Sequence, residues 1–403
     1  MSQHYDIIIV GGGMVGATLA LALSREPSFH IALIEAREPA PLLSHDAYDL
    51  RVSALTRSSE FILQNLNIWQ QLMPSRLSAF TDMFVWEDEQ SELHFDSADM
   101  GEAWLGHLIE NRHLQQTCLD ICKRQANIDL ISPAKPLSYE DNTLELDNGQ
   151  VLQAALVVAA DGAHSPLREW AGIPLKGWTY QQKGLVCTVT TEQAHRQTAW
   201  QRFLAEGPLA FLPLPDPHQC SIVWSLNTDN ADGLLTLPDK QFIDELNEAF
   251  QFKLGRVTAV SERAAFPLQL RHAEAYIKPG LALVGDAAHT IHPLAGQGVN
   301  IGLLDAASLA DIVIDAAQHG RDIGCLHTLQ KYQRQRRADN TMMQLSMDMF
   351  KRVFSESLPP IKWLRQTGLR CVNKSQWLKN LFMQQASSRR FAQPELAKRP
   401  PSH

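Results

Sequence analysis

The 403-residue chain has no window approaching 18 uninterrupted apolar residues, so no segment reads as a membrane-spanning helix. It is also poor in cysteine. Its six cysteines, Cys118, Cys122, Cys187, Cys220, Cys325 and Cys371, are scattered. Cys118 and Cys122 have i,i+4 spacing, but no Cys/His pair follows at zinc-finger spacing. H-E-x-x-H is absent among the fifteen histidines. These absences predict reduced thiols and no metal. No basic region precedes the first apolar run, which is broken by glycines, so the expectation is a cytosolic protein. No Ser/His/Asp or paired-carboxylate arrangement stands out, and no internal repeat is visible. Net charge is −8, which offers nucleic acid no general attraction.

That charge is unevenly spread. From Lys351 to His403 eleven Lys and Arg face only Glu356 and Glu395, a balance of +9 that leaves −17 for the remainder. Such asymmetry suggests an anionic partner for the tail, or a basic face packed on an acidic body. Trp363, Leu364, Leu381 and Phe382 are interleaved with the basic residues, as in a surface that docks on anionic lipid or on a protein complex. At this length two domains are expected.

The N-terminus supplies the first motif. Tyr5 to Val10 is short and largely apolar and reads as a buried parallel strand. It runs into Gly11-Gly12-Gly13-Met14-Val15-Gly16, with Gly11, Gly13 and Gly16 in G-x-G-x-x-G register. A helix of small residues follows, then a strand, Ile31 to Ile34, ending at Glu35. An acid at this distance meets a ribose hydroxyl, while the helix N-terminus favours a pyrophosphate. No second G-x-G-x-x-G occurs, so a separate nicotinamide-nucleotide domain of that type is not expected.

A second motif lies late in the chain. Leu281 to Val284 reads as a strand that delivers Asp286 to a sheet edge, followed by a glycine-studded loop, Pro293 to Asn300, and a helix beginning near Ile301. Gly296 and Gly298 can bring bare N–H groups against a planar, electron-rich ligand. A third strand, Leu156 to Ala160, ends at Asp161-Gly162. Asp147 to Gln150 is a hairpin turn. Between Trp178 and Arg271 the texture changes to alternating strand-like runs with turn residues, an antiparallel sheet. Pro394 to His403 is expected to be disordered.

Gly11 to Gly16 with Glu35, Asp161-Gly162 and Gly285-Asp286 together resemble the FAD aromatic hydroxylases of the para-hydroxybenzoate hydroxylase-like fold. The resemblance covers nearly the whole chain. It implies an α/β fold: a Rossmann-like FAD-binding domain (1–75, 106–177 and 272–345), interrupted by a mainly antiparallel β-sheet substrate domain (76–105 and 178–271), with a helical basic tail (346–403). Arg51-Val52-Ser53-Ala54-Leu55 and the run from Gly285 to Asn300 are similar to the ubiquinone-biosynthesis hydroxylases within that group. Met100-Gly101, Leu105-Gly106-His107 and the runs Ala210 to Leu214 and Cys220 to Leu226 look most like the branch that hydroxylates C5 of a polyprenylphenol. The C6 and C1 branches share the flavin motifs.

By this resemblance Gly11, Gly13, Gly16 and Glu35 bind the ADP part of FAD. Arg51 approaches the flavin and pyrophosphate, and Asn111 reaches the cofactor. Asp161 and Gly162 lie near FAD and the nicotinamide nucleotide. Asp286 binds ribitol, and Gly296, Gly298 and Asn300 hold the isoalloxazine edge. The implied chemistry is ring hydroxylation with O₂ through a flavin C4a-hydroperoxide, with NAD(P)H or a redox partner as electron donor. His289 and His292 are candidates for a base toward the phenol, with hydrogen bonds that structure the loop as the alternative. Leu209, Phe211, Leu212, Val223 and Trp224 are candidates to line an apolar substrate cavity, with ordinary sheet core as the alternative for about half of them by strand alternation. The implied partners are a polyprenylated phenol, O₂, a ubiquinone-biosynthesis protein complex and the inner-membrane surface, and homo-oligomerisation is left open. Two other readings compete: a flavin enzyme that does not oxygenate, and a flavin-binding assembly subunit.

Overall fold

The N-terminal apolar run becomes β1 (Gln3–Val10), whose last four residues are all buried. Burial on both faces is what a central parallel strand requires. The structure is a computed structural model and describes residues 2–43, 46–88, 91–290, 298–355 and 393–401. After β1 come α1 (Met14–Leu23), β2 (Ile31–Ile34), β3 (Val52–Thr56) and α2 (Arg57–Asn65). The next segment holds β4 (Leu77–Phe80), β5 (Asp82–Trp86), β6 (Glu92–Asp96) and β7 (Gly106–Glu110). Then α3 (Asn111–Cys122), β8 (Ile128–Ile131), β9 (Pro136–Glu140), β10 (Thr143–Leu146), β11 (Val151–Ala159) and α4 (Pro166–Trp170) follow. The strand-rich middle comprises β12 (Leu175–Thr191), β13 (Thr198–Phe203), β14 (Pro208–Pro213), β15 (Gln219–Asn227), β16 (Val257–Val260) and β17 (Ala264–Ala273). The helices α5 (Thr228–Thr236) and α6 (Asp239–Phe250) sit within it. The chain closes with β18 (Ile277–Lys278), β19 (Leu281–Leu283), β20 (His289–Thr290), α7 (Gly298–Gln318) and α8 (Leu326–Ser355).

Three sheets form among the described residues. In the first, β19, β11, β1, β2 and β8 are parallel neighbours. Antiparallel β18 edges it, and the hairpin turn at Asp147 to Gln150 attaches β10 to β11, with β9 outside β10. The second sheet runs β20-β17-β12-β15-β14-β13-β5-β6, antiparallel except where β13 meets β5. The third is small, β3-β7-β4. The segment 76–105 therefore divides. Its β5 and β6 join the large sheet, while β4 pairs with β7.

Two glycines of the first loop are demanded by backbone geometry. Gly11 has φ +107, and a Cβ there would lie 2.3 Å from the Ala160 carbonyl oxygen. A Cβ at Gly16 would lie 1.9 Å from the Gly11 oxygen, so α1 closes on β1 only without a side chain there. The large sheet has one face under α6, where the Phe211 and Phe250 rings stack with centroids 3.5 Å apart. Leu209, Phe211 and Trp224 are all buried on that face. They are ordinary core, which corrects their assignment to a substrate cavity. Strand alternation puts Leu212 and Val223 on the opposite face, and both are half-buried.

The C-terminus also departs from expectation. Pro394 to Ala397 are not disordered, for Glu395–Ala397 form a 3-10 turn packed on α2 and α7. Leu396 and Ala397 are buried, and the Asn65 amide donates to the Leu396 and Lys398 carbonyls at 2.8 and 2.9 Å. Most of the basic run lies outside the described residues.

Candidate functional site

The strand ends bring the three sequence motifs together. The Val284 N–H donates to the Ala159 carbonyl, and Ala160 N–H donates to the Val10 carbonyl. Asp161-Gly162 thus sits beside Gly11, and Gly285 sits beside Val15 of α1. This is the carboxyl edge of a parallel sheet, where ligands of such folds collect.

Around the first loop, Glu35 Oε2 accepts from the Gly12 N–H at 2.7 Å and Oε1 accepts from the Arg37 N–H at 2.8 Å. The carboxylate keeps lone pairs for a hydroxyl donor. α1 begins at Gly13 without a side-chain cap, which leaves its first N–H groups for an anion. A Cβ at Gly13 would meet nothing within 4 Å, so that position faces open space. Gln115 of α3 steadies the loop by donating to the Gly12 carbonyl at 3.1 Å.

Asp286 reaches solvent, yet burial pushes its carboxyl up, while His289 and Arg51 pull it down and Asp305 adds to the rise. The side chain is thus wet at its tip and crowded on its flanks. Arg51 stands within its field and lies over the Phe266 ring at 5.6 Å. The Arg51 carbonyl accepts from Asn111 N–H, and the Asn111 amide oxygen accepts from Ser53 at 2.7 Å. Arg51, Asn111 and Asp286 thus belong to one neighbourhood. Asp161 has its Oδ1 buried with no hydrogen-bond partner among the described residues, and burial raises its carboxyl. Gly162, at φ +85, and Gly298 also face open space. An unpartnered buried oxygen and backbone open at three glycines fit a large ligand with hydroxyl and phosphate groups, as FAD has.

Asn300 is fully buried. Its amide oxygen accepts from Thr56 N–H at 2.9 Å and Ser59 Oγ at 2.7 Å, and its amide nitrogen donates to the Ala54 carbonyl at 2.7 Å. The side chain ties α7 to β3 and α2, and its backbone N–H lies in the first turn of α7. His292 and Gly296 lie outside the described residues.

The candidacy of His289 as a base is corrected. It is 1% exposed, and its Nε2 is held by the Asp305 carboxylate, so it structures the loop. Sequence reasoning missed Asp305. An acid flanked by Leu303-Leu304 and Ala306-Ala307 inside α7 was its signal. It also missed Arg168, a buried cation that donates to the Ala287 carbonyl at 3.1 Å and the Ala163 carbonyl at 3.3 Å. Arg168 joins the Asp161 segment to the Asp286 turn.

Among the described residues no helix is long and apolar enough to cross a membrane, and no group of three or more His, Cys, Asp or Glu is placed to hold a metal ion. Residues 140–344 match the family model described as an FAD binding domain. The chain is 38% identical to the 3-demethoxyubiquinol 3-hydroxylase of Escherichia coli (strain K12), over 96% of this chain and 99% of that one. It is 37% identical to ubiquinone hydroxylase UbiL of Rhodospirillum rubrum, over 94% and 89% of the two chains. With the human ubiquinone biosynthesis monooxygenase COQ6 it shares 33% identity over 95% and 92%. Among solved structures, p-nitrophenol 4-monooxygenase PnpA from Pseudomonas putida superposes with TM-score 0.76 at 18% identity, covering 97% of this chain and 100% of that one. A 2-methyl-3-hydroxypyridine-5-carboxylic acid oxygenase gives 0.68 at 15% identity, over 90% and 96%. These two likenesses concern the fold. The glycine loop, the paired acid-bearing strand ends and the relatives matched along their length agree: the chain belongs to the FAD-dependent hydroxylases of the ubiquinone-biosynthesis family.

Proposed function

We propose that this monooxygenase hydroxylates the ring of a polyprenylated phenol or quinol on the path to ubiquinone. The observation that carries the reading is that the Asp286 turn, with Arg51 in the field of its carboxylate, packs against α7 and against Val15 just after the glycine loop. In this reading the α1 N-terminus and Gly13 receive the pyrophosphate, and Glu35 takes a ribose hydroxyl. Asp286 takes the ribityl chain. Arg51, Asn111, Asp161 and Gly162 flank the cofactor. Backbone N–H groups from Gly298 to Asn300 face the isoalloxazine edge, where the α7 dipole favours negative charge. Reduced FAD supplies the activated oxygen. The protein's share is to orient the ring and keep water out. NAD(P)H as hydride donor is taken through the same cleft.

The substrate-facing surface of this proposal lies between the large and the small sheet. Leu212, Val52, Ala54 and Leu105 pack there against the buried cluster of Phe80, Leu108 and Ala199, and all four are half-buried. A face that is apolar but incompletely covered suits a prenylated ring better than a small polar one. The ring position is open to test. The relative named for 3-hydroxylation of 3-demethoxyubiquinol supports the C6 branch ahead of the C5 branch that the sequence motifs favoured. Lipid mass spectrometry on cells lacking the protein decides between them. Accumulated demethoxyubiquinol supports C6, accumulated polyprenylphenol supports C5, and normal ubiquinone with neither intermediate refutes the pathway assignment.

The basic tail is proposed as the contact with anionic lipid or a biosynthetic complex, supported by its charge. Deleting the chain beyond Pro359 is expected to abolish flotation with anionic liposomes. Unchanged flotation counts against it.

A further inference from the structure

Two fully buried charges from different helices meet directly behind the Asp286 turn. Asp305 of α7 is 0% exposed, and Arg336 of α8 is 3% exposed. Arg336 Nε donates to Asp305 Oδ1 at 2.7 Å. Asp305 Oδ2 takes the His289 ring nitrogen and accepts from the Gly285 N–H at 3.2 Å. The other guanidinium nitrogens are also committed. Nη2 donates to the Asn340 amide oxygen at 3.0 Å, and Nη1 donates to Asp339 at 3.1 Å. Asn340 donates in turn to the Tyr276 hydroxyl at 3.2 Å. Behind the same turn, Tyr332 of α8 donates to the Leu283 carbonyl at 2.7 Å.

Burying these charges needs a reason, because apolar residues of like volume stabilise a core as well or better. What charges add is direction. Asp305 grips the backbone of Gly285, which has φ +59 and immediately precedes Asp286. The bearing of the Asp286 carboxylate follows from that turn. Asp305 also rides on α7, whose first turn the proposed function sets at the isoalloxazine edge. One carboxylate therefore sets the turn and the helix relative to one another. Arg336 fixes the carboxylate from behind without touching the cleft.

We propose that Arg336 is a positioning residue for the flavin site, acting through Asp305 on the Gly285-Asp286 turn and on α7. Burial alone would raise the Asp305 carboxyl, but His289 and Arg336 bring it to about 2, so the clamp is ionised across the physiological range. The inference rests on the reading of Asp286 as a flavin ligand. Replacing Arg336 removes the outer anchor, frees the Asp305 carboxylate to rotate, and lets the turn and helix drift apart.

The test compares wild type, Arg336→Met, Arg336→Lys and the double variant Asp305→Asn/Arg336→Met as full-length proteins. Three quantities are read: the dissociation constant of FAD for the apoprotein, the midpoint potential of the bound flavin, and the melting temperature of the apoprotein. Arg336→Met is expected to weaken FAD at least tenfold and to shift the potential, with Arg336→Lys recovering part of both. The double variant, which leaves no unpaired acid beside Arg336's place, is expected to regain melting temperature but not FAD affinity. A double variant, or a folded Arg336→Met, that binds FAD as wild type does and keeps its potential overturns the proposal, and a loss of melting temperature alone then marks a packing role. Should Asp286→Ala bind FAD as wild type does, the underlying assignment of Asp286 fails, and that result is separate from either outcome for Arg336.

Discussion

Gly11, Gly13 and Gly16 stand in one motif for two different physical reasons. At Gly11 and Gly16 a Cβ would strike backbone oxygen, so any side chain there disturbs the fold itself. At Gly13 the backbone has ordinary extended angles, φ −66 and ψ 179, and a Cβ would meet only space. The Gly13→Val variant should therefore fold with the melting temperature of wild-type apoprotein while losing FAD affinity about a hundredfold, near 2.7 kcal/mol. Equilibrium flavin titration beside apoprotein calorimetry checks both halves. A variant that purifies with full flavin would mean that Gly13 does not face the pyrophosphate.

His113 carries a pH dependence of its own. It is buried, and its Nε2 accepts the Met73 N–H at 2.9 Å. Burial first, and nearby Arg76 second, lower its pKa to about 4. Between about 6.5 and 4 the unfolded chain therefore binds a proton that the folded chain refuses. Stability contributed by neutral His113 is complete above this window and is lost progressively as pH falls through it. His113→Gln keeps an acceptor and should flatten that acid limb in a denaturation series from pH 7 to 4. An unchanged slope would assign the limb to other groups, His272 first among them, since burial holds it too at about 4.

At the scale of elements, the C-terminal strap is the feature that composition concealed. A proline-flanked, charged terminus reads as disordered, yet Leu396 is 2% exposed against α2 and α7, and Glu395 N–H donates to Asp311 at 2.8 Å. Leu396→Ala should cost about 2–4 kcal/mol by the usual cavity rule. Chemical denaturation measures it, and a change below about 0.5 kcal/mol would show the strap to be dispensable. What was legible in the sequence follows from locality. β1 and β2 were readable because each is a short apolar run that ends at a glycine or an acid, α1 because small and apolar residues continue from the glycine loop, and α6 because its amphipathic face is complete within twelve residues. The large sheet was readable as texture but not as faces. Whether Phe211 or Leu212 points to α6 depends on register across β14 and β15, which no single strand encodes. The opening at Gly13 was legible because a glycine ahead of a helix needs no distant partner. The site was illegible where side chains from distant segments meet, as at Asp305 and Arg336, thirty-one residues apart in sequence.

At the scale of the whole molecule, the Gly285-Asp286 turn belongs to both large sheets. Val284 bonds into the parallel sheet through Ala159, and five and six residues later His289 and Thr290 pair with His272 and Arg271 at the edge of the antiparallel one. β17 then carries that edge along β12 from Leu175 to Val186. Because one short segment is stitched into each sheet, FAD bound at the turn should stabilise them as a single cooperative unit. Stabilisation by a ligand that binds only the folded state is RT ln(1 + [L]/Kd), about 2.7 kcal/mol at a hundredfold excess over Kd. For a chain of this length the unfolding entropy converts that into a rise of roughly 3 °C in melting temperature. Calorimetry of apoprotein with rising FAD should show one transition moving upward as a whole. If instead only a low-temperature shoulder moves while a second transition stays fixed, the antiparallel sheet unfolds independently, and the pairing of β20 with β17 does not couple the substrate face to the cofactor.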